Sequence, residues 1–181
     1  MKHYNYQQTL EKLWQKAVDQ YQAGQRGSAS YFTDEETQWL RENGVTPQEI
    51  YDFAEDFNNY GEPDFLTFAL VTDVRRSYFL KEMNGEYTGN SVDPSDYPSK
   101  KEEVDGIVWL PRLIAKAKTK LRGELDLDTM YGCGGDRNFF KTHDIHPADF
   151  LRFVELHIDD DQAVVNWVKE RSPEVNAAAV G

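Results

Sequence analysis

Apolar side chains recur at three- and four-residue spacing through most of the chain, and no segment alternates convincingly at two. Leu10, Leu13, Trp14, Ala17, Val18 and Tyr21 fall on one stripe and predict a first helix over about 6–22. Gly24, Gly27 and the neighbouring serines end it. Thr33-Asp34-Glu35-Glu36 reads as a capping box opening a second helix through Trp39 and Leu40, which Gly44 stops. Thr46-Pro47-Gln48-Glu49 repeats that grammar for a third helix, which buries Ile50, Phe53, Ala54 and Phe57 before Gly61. A fourth starts near Pro63-Asp64 and carries Phe65, Phe68, Val71 (or Ala69), Val74 and Tyr78. Residues 85–104 are rich in Gly, Ser and Asn, hold two prolines and show no apolar period, so they read as an irregular linker. A fifth helix runs from Pro111 to Gly123, and Asp136 is expected to cap a sixth that buries Phe139 and Phe140. His146-Pro147 opens a seventh with Phe150, Leu151, Phe153 and Val154 inward. Asp159-Asp160-Asp161 places negative charge at the start of an eighth, with Val164, Val165, Trp167 and Val168. Ile107-Val108-Trp109 fits a short extended arm, not the basis of a sheet, and the tail after Pro173 is expected to fray. The fold class is all-α.

Shifted by 100 residues, the two halves fall into register. Leu10/Leu110, Leu13/Leu113, Lys16/Lys116, Ala17/Ala117, Tyr31/Tyr131, Pro47/Pro147, Phe53/Phe153 and Glu55/Glu155 are identical pairs. Unrelated sequence of ordinary composition would give about 3 over the same span. Like-for-like pairs add to these: Glu36/Asp136, Trp39/Phe139, Leu40/Phe140, Val45/Ile145 and Ile50/Phe150. After Glu55 the register slips by about three residues. The expectation is two pseudo-repeated four-helix units packed together: residues 1–88, a linker over 89–105, and 106–181. Residues shared by both copies most simply keep the fold. Those found only in the second copy, Arg112, Cys133, Gly134, Gly135 and Arg137, are candidates for function.

Charge narrows the partners. The net charge of -12 disfavours non-specific binding to nucleic acid or to an acidic membrane surface. The acid excess lies mainly before residue 100, so the acidic first unit would complement the basic fifth helix. One cysteine, Cys133, leaves no intrachain disulfide and fits a reducing cytoplasm. The opening MKHYNYQQTLEKLWQ has no apolar core like that of a signal peptide, and no run is long enough for a membrane span.

Gly106, Leu110-Pro111-Arg112, Ile114, Lys116, Leu121, Gly123, Tyr131, Cys133, Asp136 and Phe139 form a distinctive string. In its Leu-Pro-Arg and Tyr-x-Cys-x-x-Asp motifs, over about Asp93 to Ser172, the chain resembles DUF5069, a bacterial family of domains of unknown function. It departs from that pattern at Ala115, where the family has Asp, and at Gly134-Gly135, where the family has Pro-Leu. The resemblance implies a fold and motif positions, with residues 6–85 as a divergent duplicate; it implies no reaction.

Arg112, Lys116 and Lys120 share one face of the fifth helix, an arrangement suited to an anion or to a solvated stripe. The Gly132–Arg137 turn leads into a helix start, where backbone amides can hold a phosphate or carboxylate. Cys133 would become a nucleophile if Arg137 and the helix dipole lowered its thiol pKa and His143 or His146 folded back as base. His143, His146, His157 and the Asp159–Asp161 run supply metal-ligand types, but Pro147 keeps the first two histidines off a shared helical face. No metal or cofactor is therefore expected. The sequence favours a non-enzymatic cytoplasmic binding protein using Arg112, Lys116, Tyr131, Cys133, Asp136 and Arg137 to recognise an anionic small molecule or acidic protein segment. The alternative is a small enzyme using Cys133 or Asp136 with a nearby histidine.

Overall fold

Side-chain caps mark where several of the helices begin. In the first unit, α1 (Tyr6–Gln22), α2 (Asp34–Glu42), α3 (Pro47–Tyr60) and α4 (Phe65–Lys81) follow one another. Thr33 and Thr46 each accept the amide of the third helical residue, while Glu36 and Glu49 reach back to the threonine amides. Each such box satisfies two of the N–H groups that a helix start leaves orphaned. The computed structural model describes residues 3–172, and the tail after Pro173, expected to fray, lies outside them.

Two compact units divide between Tyr87 and Thr88. In the first, α1 lies mainly along α3 and also meets α4. Leu10, Leu40, Ile50, Ala54 and Phe68 are sealed from solvent there, each large side chain contributing about 1.5–3 kcal/mol by leaving water. The second unit holds β1 (Glu103–Val104), β2 (Ile107–Val108), α5 (Leu110–Arg122), α6 (Gly134–Thr142), α7 (Pro147–Leu156) and α8 (Asp161–Arg171). Helix α5 packs on α7 and α8, around Leu110, Leu113, Phe150, Leu151 and Val154. Among the described residues the molecule is all-α apart from one two-stranded hairpin. Ile107-Val108 is the short extended piece the sequence suggested, and it is one strand of that hairpin: Val104 faces Ile107 and Glu103 faces Val108, with Asp105 and Gly106 turning the corner at positive φ.

The segment expected as linker is structured within the second unit. Tyr97 is buried, and the Val92 amide donates to the Glu124 carbonyl at 2.9 Å. An aromatic anchor without periodicity gives no helical or strand signal, yet it fixes the chain.

Some element boundaries recur at a fixed spacing. Helices α2 and α6 coincide end for end at an offset of 100 residues, and α3 and α7 both start on its proline. Val45 and Ile145 donate alike to the carbonyls of Leu40 and Phe140. The caps of the last helices, Asp64 and Asp160, stand at an offset of 96.

Candidate functional site

Asp136 organises the second unit's loop-to-helix junction. It is not the helix cap the sequence suggested: Cys133 holds that position with no side-chain cap bond, and Asp136 stands three residues later. From there its Oδ2 accepts the Gly132 amide at 2.9 Å and Lys116 Nζ at 2.5 Å. Oδ1 accepts the Trp109 indole N–H at 3.0 Å. The carboxylate is fully buried and the Lys116 side chain is 3% exposed. Desolvating both ions is costly, and the close pairing with two further N–H donors offsets that cost.

The basic stripe on α5 is therefore not solvated. Lys116 and Lys120 are both buried, and Lys116 spends its charge on Asp136. Acids of the same unit also answer Lys118, which meets Asp161, and Arg122, which meets Glu124. Arg112 points elsewhere: its Nη1 donates to the Pro98 carbonyl at 2.9 Å and its guanidinium lies 5.4 Å from the Tyr97 ring centre.

The other sequence candidates gather around the junction. Tyr131 is buried, and its hydroxyl donates to the Pro147 carbonyl at 2.7 Å. Burial, with the negative charge of Asp136, pushes that phenol well above its ordinary pKa, so it remains a donor. Arg137 Nη1 donates to the Gly132 carbonyl at 2.9 Å. Cys133 is half-buried, with Lys116 Nζ 3.4 Å from its sulfur. Lys116, Tyr131, Cys133, Asp136 and Arg137 thus brace a turn.

Through Asp136 that turn holds Trp109, which the sequence places in the short extended arm and which is half-buried. Trp109 sits at φ 76°, a left-handed conformation costing a bulky residue about 1–3 kcal/mol. Its ring edge lies so close to Gly135 that a Cβ there would come within 2.4 Å of it. Only glycine at position 135 leaves room for the indole.

Trp109, Gly135, the hairpin turn, Phe139, His143, Lys169 and Ser172 line a cleft of about 560 Å³. His143 Nδ1 and Ser172 Oγ are 2.6 Å apart. The serine hydroxyl donates to the Val168 carbonyl at 2.8 Å, which assigns the proton of that first bond to the ring nitrogen. The His143 ring also lies 4.3 Å from Phe139. At the mouth, Lys169 pairs with Asp105 at 3.1 Å.

Both Asp136 oxygens are occupied, the Ser172 proton is directed away from His143, and His146 caps α7 through its ring. His157 stacks on Phe153 instead of joining His143. Among the described residues, no three His, Cys, Asp or Glu side chains gather in a way that would hold a metal ion. Nor, among them, is any helix long and apolar enough to cross a membrane.

Residues 95–180 match the model of a family described as a domain of unknown function, DUF5069, so the second half of this chain resembles that family. No curated protein and no solved structure matched the chain.

Proposed function

We propose that this protein is a non-enzymatic, cytoplasmic binding module that takes a small molecule into the cleft beside Trp109. The observation that carries this reading is the cleft itself: about 560 Å³, within the usual range of ligand sites, with one wall fixed by a buried ion pair. On this reading Lys116, Tyr131, Cys133, Asp136 and Arg137 act behind the wall. They hold Trp109 and Gly135 in place, and the ligand meets Trp109, Phe139 and His143. An anionic ligand is met by Lys169, whose present partner Asp105 lies on the hairpin turn and is 40% exposed. An acidic protein segment has less support, because the α5 cations that would face it are turned inward or paired.

A fragment screen tests this. Saturation-transfer NMR on the wild type and on Thr142→Trp, which places a large ring in the cleft mouth, should find fragments that bind the first and not the second. Fragments that bind both proteins equally, or none that bind the wild type, would refute the reading.

A further inference from the structure

One buried cation of the first unit has no anion bonded to it. Arg75, on α4, is only 1% exposed. Its Nη1 reaches the Met83 sulfur at 3.7 Å, a weak acceptor. Its Nε and Nη2 have no hydrogen-bond partner among the described residues. These two groups lie side by side along one edge of the guanidinium, the edge that takes both oxygens of a carboxylate.

The surroundings compensate the charge only in part. The Phe79 and Tyr87 rings lie 5.0 and 5.8 Å from the guanidinium centre. Such contacts supply about 0.5–2 kcal/mol each, against several kcal/mol for taking the ion out of water. Glu49 is the strongest negative influence on Arg75, but its Oε2 is engaged by the Thr46 amide at 2.8 Å. Burial outweighs that influence and pulls Arg75 below its ordinary pKa.

A second orphaned donor stands beside it. The Tyr87 hydroxyl is buried and has no partner among the described residues. Burial, with the charge of Glu49, pushes that phenol up to about 12, so it keeps its proton. The chain turns back over Arg75 after α4: Asn84 and Gly85 take φ of 52° and 74°, and the Gly85 amide donates to the Phe79 carbonyl at 2.8 Å. Tyr87 also lines a cleft of about 420 Å³, together with Arg41, Glu42 and Glu86.

We infer that the first unit binds a small monocarboxylate whose two oxygens accept from Arg75 Nε and Nη2, with the Tyr87 hydroxyl as a further donor. Because Arg75 is sealed, the carboxylate belongs to a molecule small enough to enter past Tyr87, from the cleft that this residue lines. Glu42 and Glu86 on that cleft disfavour a second negative charge on the ligand. The site lies in the other unit from the cleft beside Trp109 and does not depend on that cleft being filled.

Acetate labelled with carbon-13, titrated by NMR at neutral pH into the full chain, tests this. A Lys169→Met background removes the exposed cation of the second unit's cleft. Acetate should bind saturably, and Arg75→Met should weaken it more than about tenfold, the loss of charge-assisted hydrogen bonds. An apolar chain in place of a buried charge is compatible with folding. Tyr87→Phe should weaken acetate about threefold to tenfold, one neutral hydrogen bond. Acetamide and malonate should both bind more weakly than acetate. No saturable acetate binding, or binding that Arg75→Met leaves unchanged, overturns the site. Acetamide binding as tightly as acetate overturns it too, and that comparison decides even if Arg75→Met does not fold. Malonate binding as tightly as acetate overturns the restriction to a single charge.

Discussion

Replacing Lys116 by Met removes the cation from a carboxylate that has no access to water. Asp136 then keeps two neutral donors, the Gly132 amide and the Trp109 indole, against a fully buried charge. Breaking a buried pair from one side costs about 3–5 kcal/mol, a large share of the roughly 5–15 kcal/mol that stabilises a domain. The first unit supplies an internal control. Its Lys16–Glu36 pair has the same 2.5 Å separation, but the side chains are 33% and 30% exposed. Solvent screening reduces such a pair to about 0–1 kcal/mol, so Lys16→Met should be nearly silent. Urea unfolding of the full chain, followed by circular dichroism and tryptophan emission, measures both. The double change Lys116→Met with Asp136→Leu should recover much of the loss, because no buried charge is left uncompensated. If Lys116→Met and Lys16→Met differ by less than about 1 kcal/mol, the burial argument is wrong.

Three further outcomes are expected. Gly135→Ala should destabilise by about 1–3 kcal/mol through its clash with Trp109, whereas Gly134→Ala, whose nearest neighbour is an arginine tip at 3.8 Å, should be neutral or slightly stabilising in thermal melts. Tyr6→Ala should lose about 3–5 kcal/mol in urea melts, because the buried Tyr6 ring is stacked on Trp39 and covered by Arg76; a loss below about 1 kcal/mol would refute that packing argument. For Glu124, burial pushes the carboxyl up, but hydrogen bonds, chiefly from Arg122 at 2.8 Å, outweigh it and hold the pKa below the usual 4.5. Because the folded value is the lower one, its contribution is present above the unfolded value and fades as pH falls through the folded one. The stability gap between wild type and Glu124→Gln should therefore be full at pH 6 and shrink on acidification below 4.5, as read by urea melts across pH.

Much of the fold was legible because it is written locally. The stripe from Leu10 to Tyr21 and the two threonine boxes act within a turn or two, and they place α1, α2 and α3 correctly. What was not legible depends on distance along the chain. Lys116 reads as one member of a basic stripe until its partner, twenty residues on, is in place. A signal for that pairing did exist: both halves carry a lysine and an acid at the same separation, Lys16 with Glu36 and Lys116 with Asp136. Asp136 reads as a cap because aspartate is a favoured N-cap residue, yet from the third helical position it reaches back to an amide, that of Gly132. The place of Trp109 against Asp136 was not legible, because it depends on a left-handed backbone and on an absent Cβ at Gly135, neither of which has a periodic signature. Arg75, buried in α4 against Met83 and Phe79, was likewise invisible to an apolar count.

The indole of Trp109 is also a built-in optical probe. Its N–H is tied to a carboxylate neutralised by an ammonium group, while its outer ring faces the cleft. Charges fixed so near a chromophore set its emission wavelength, and a guest arriving beside the ring alters its polarity and quenching. Occupancy can thus be followed without a label, as the difference between the intact protein and Trp109→Phe.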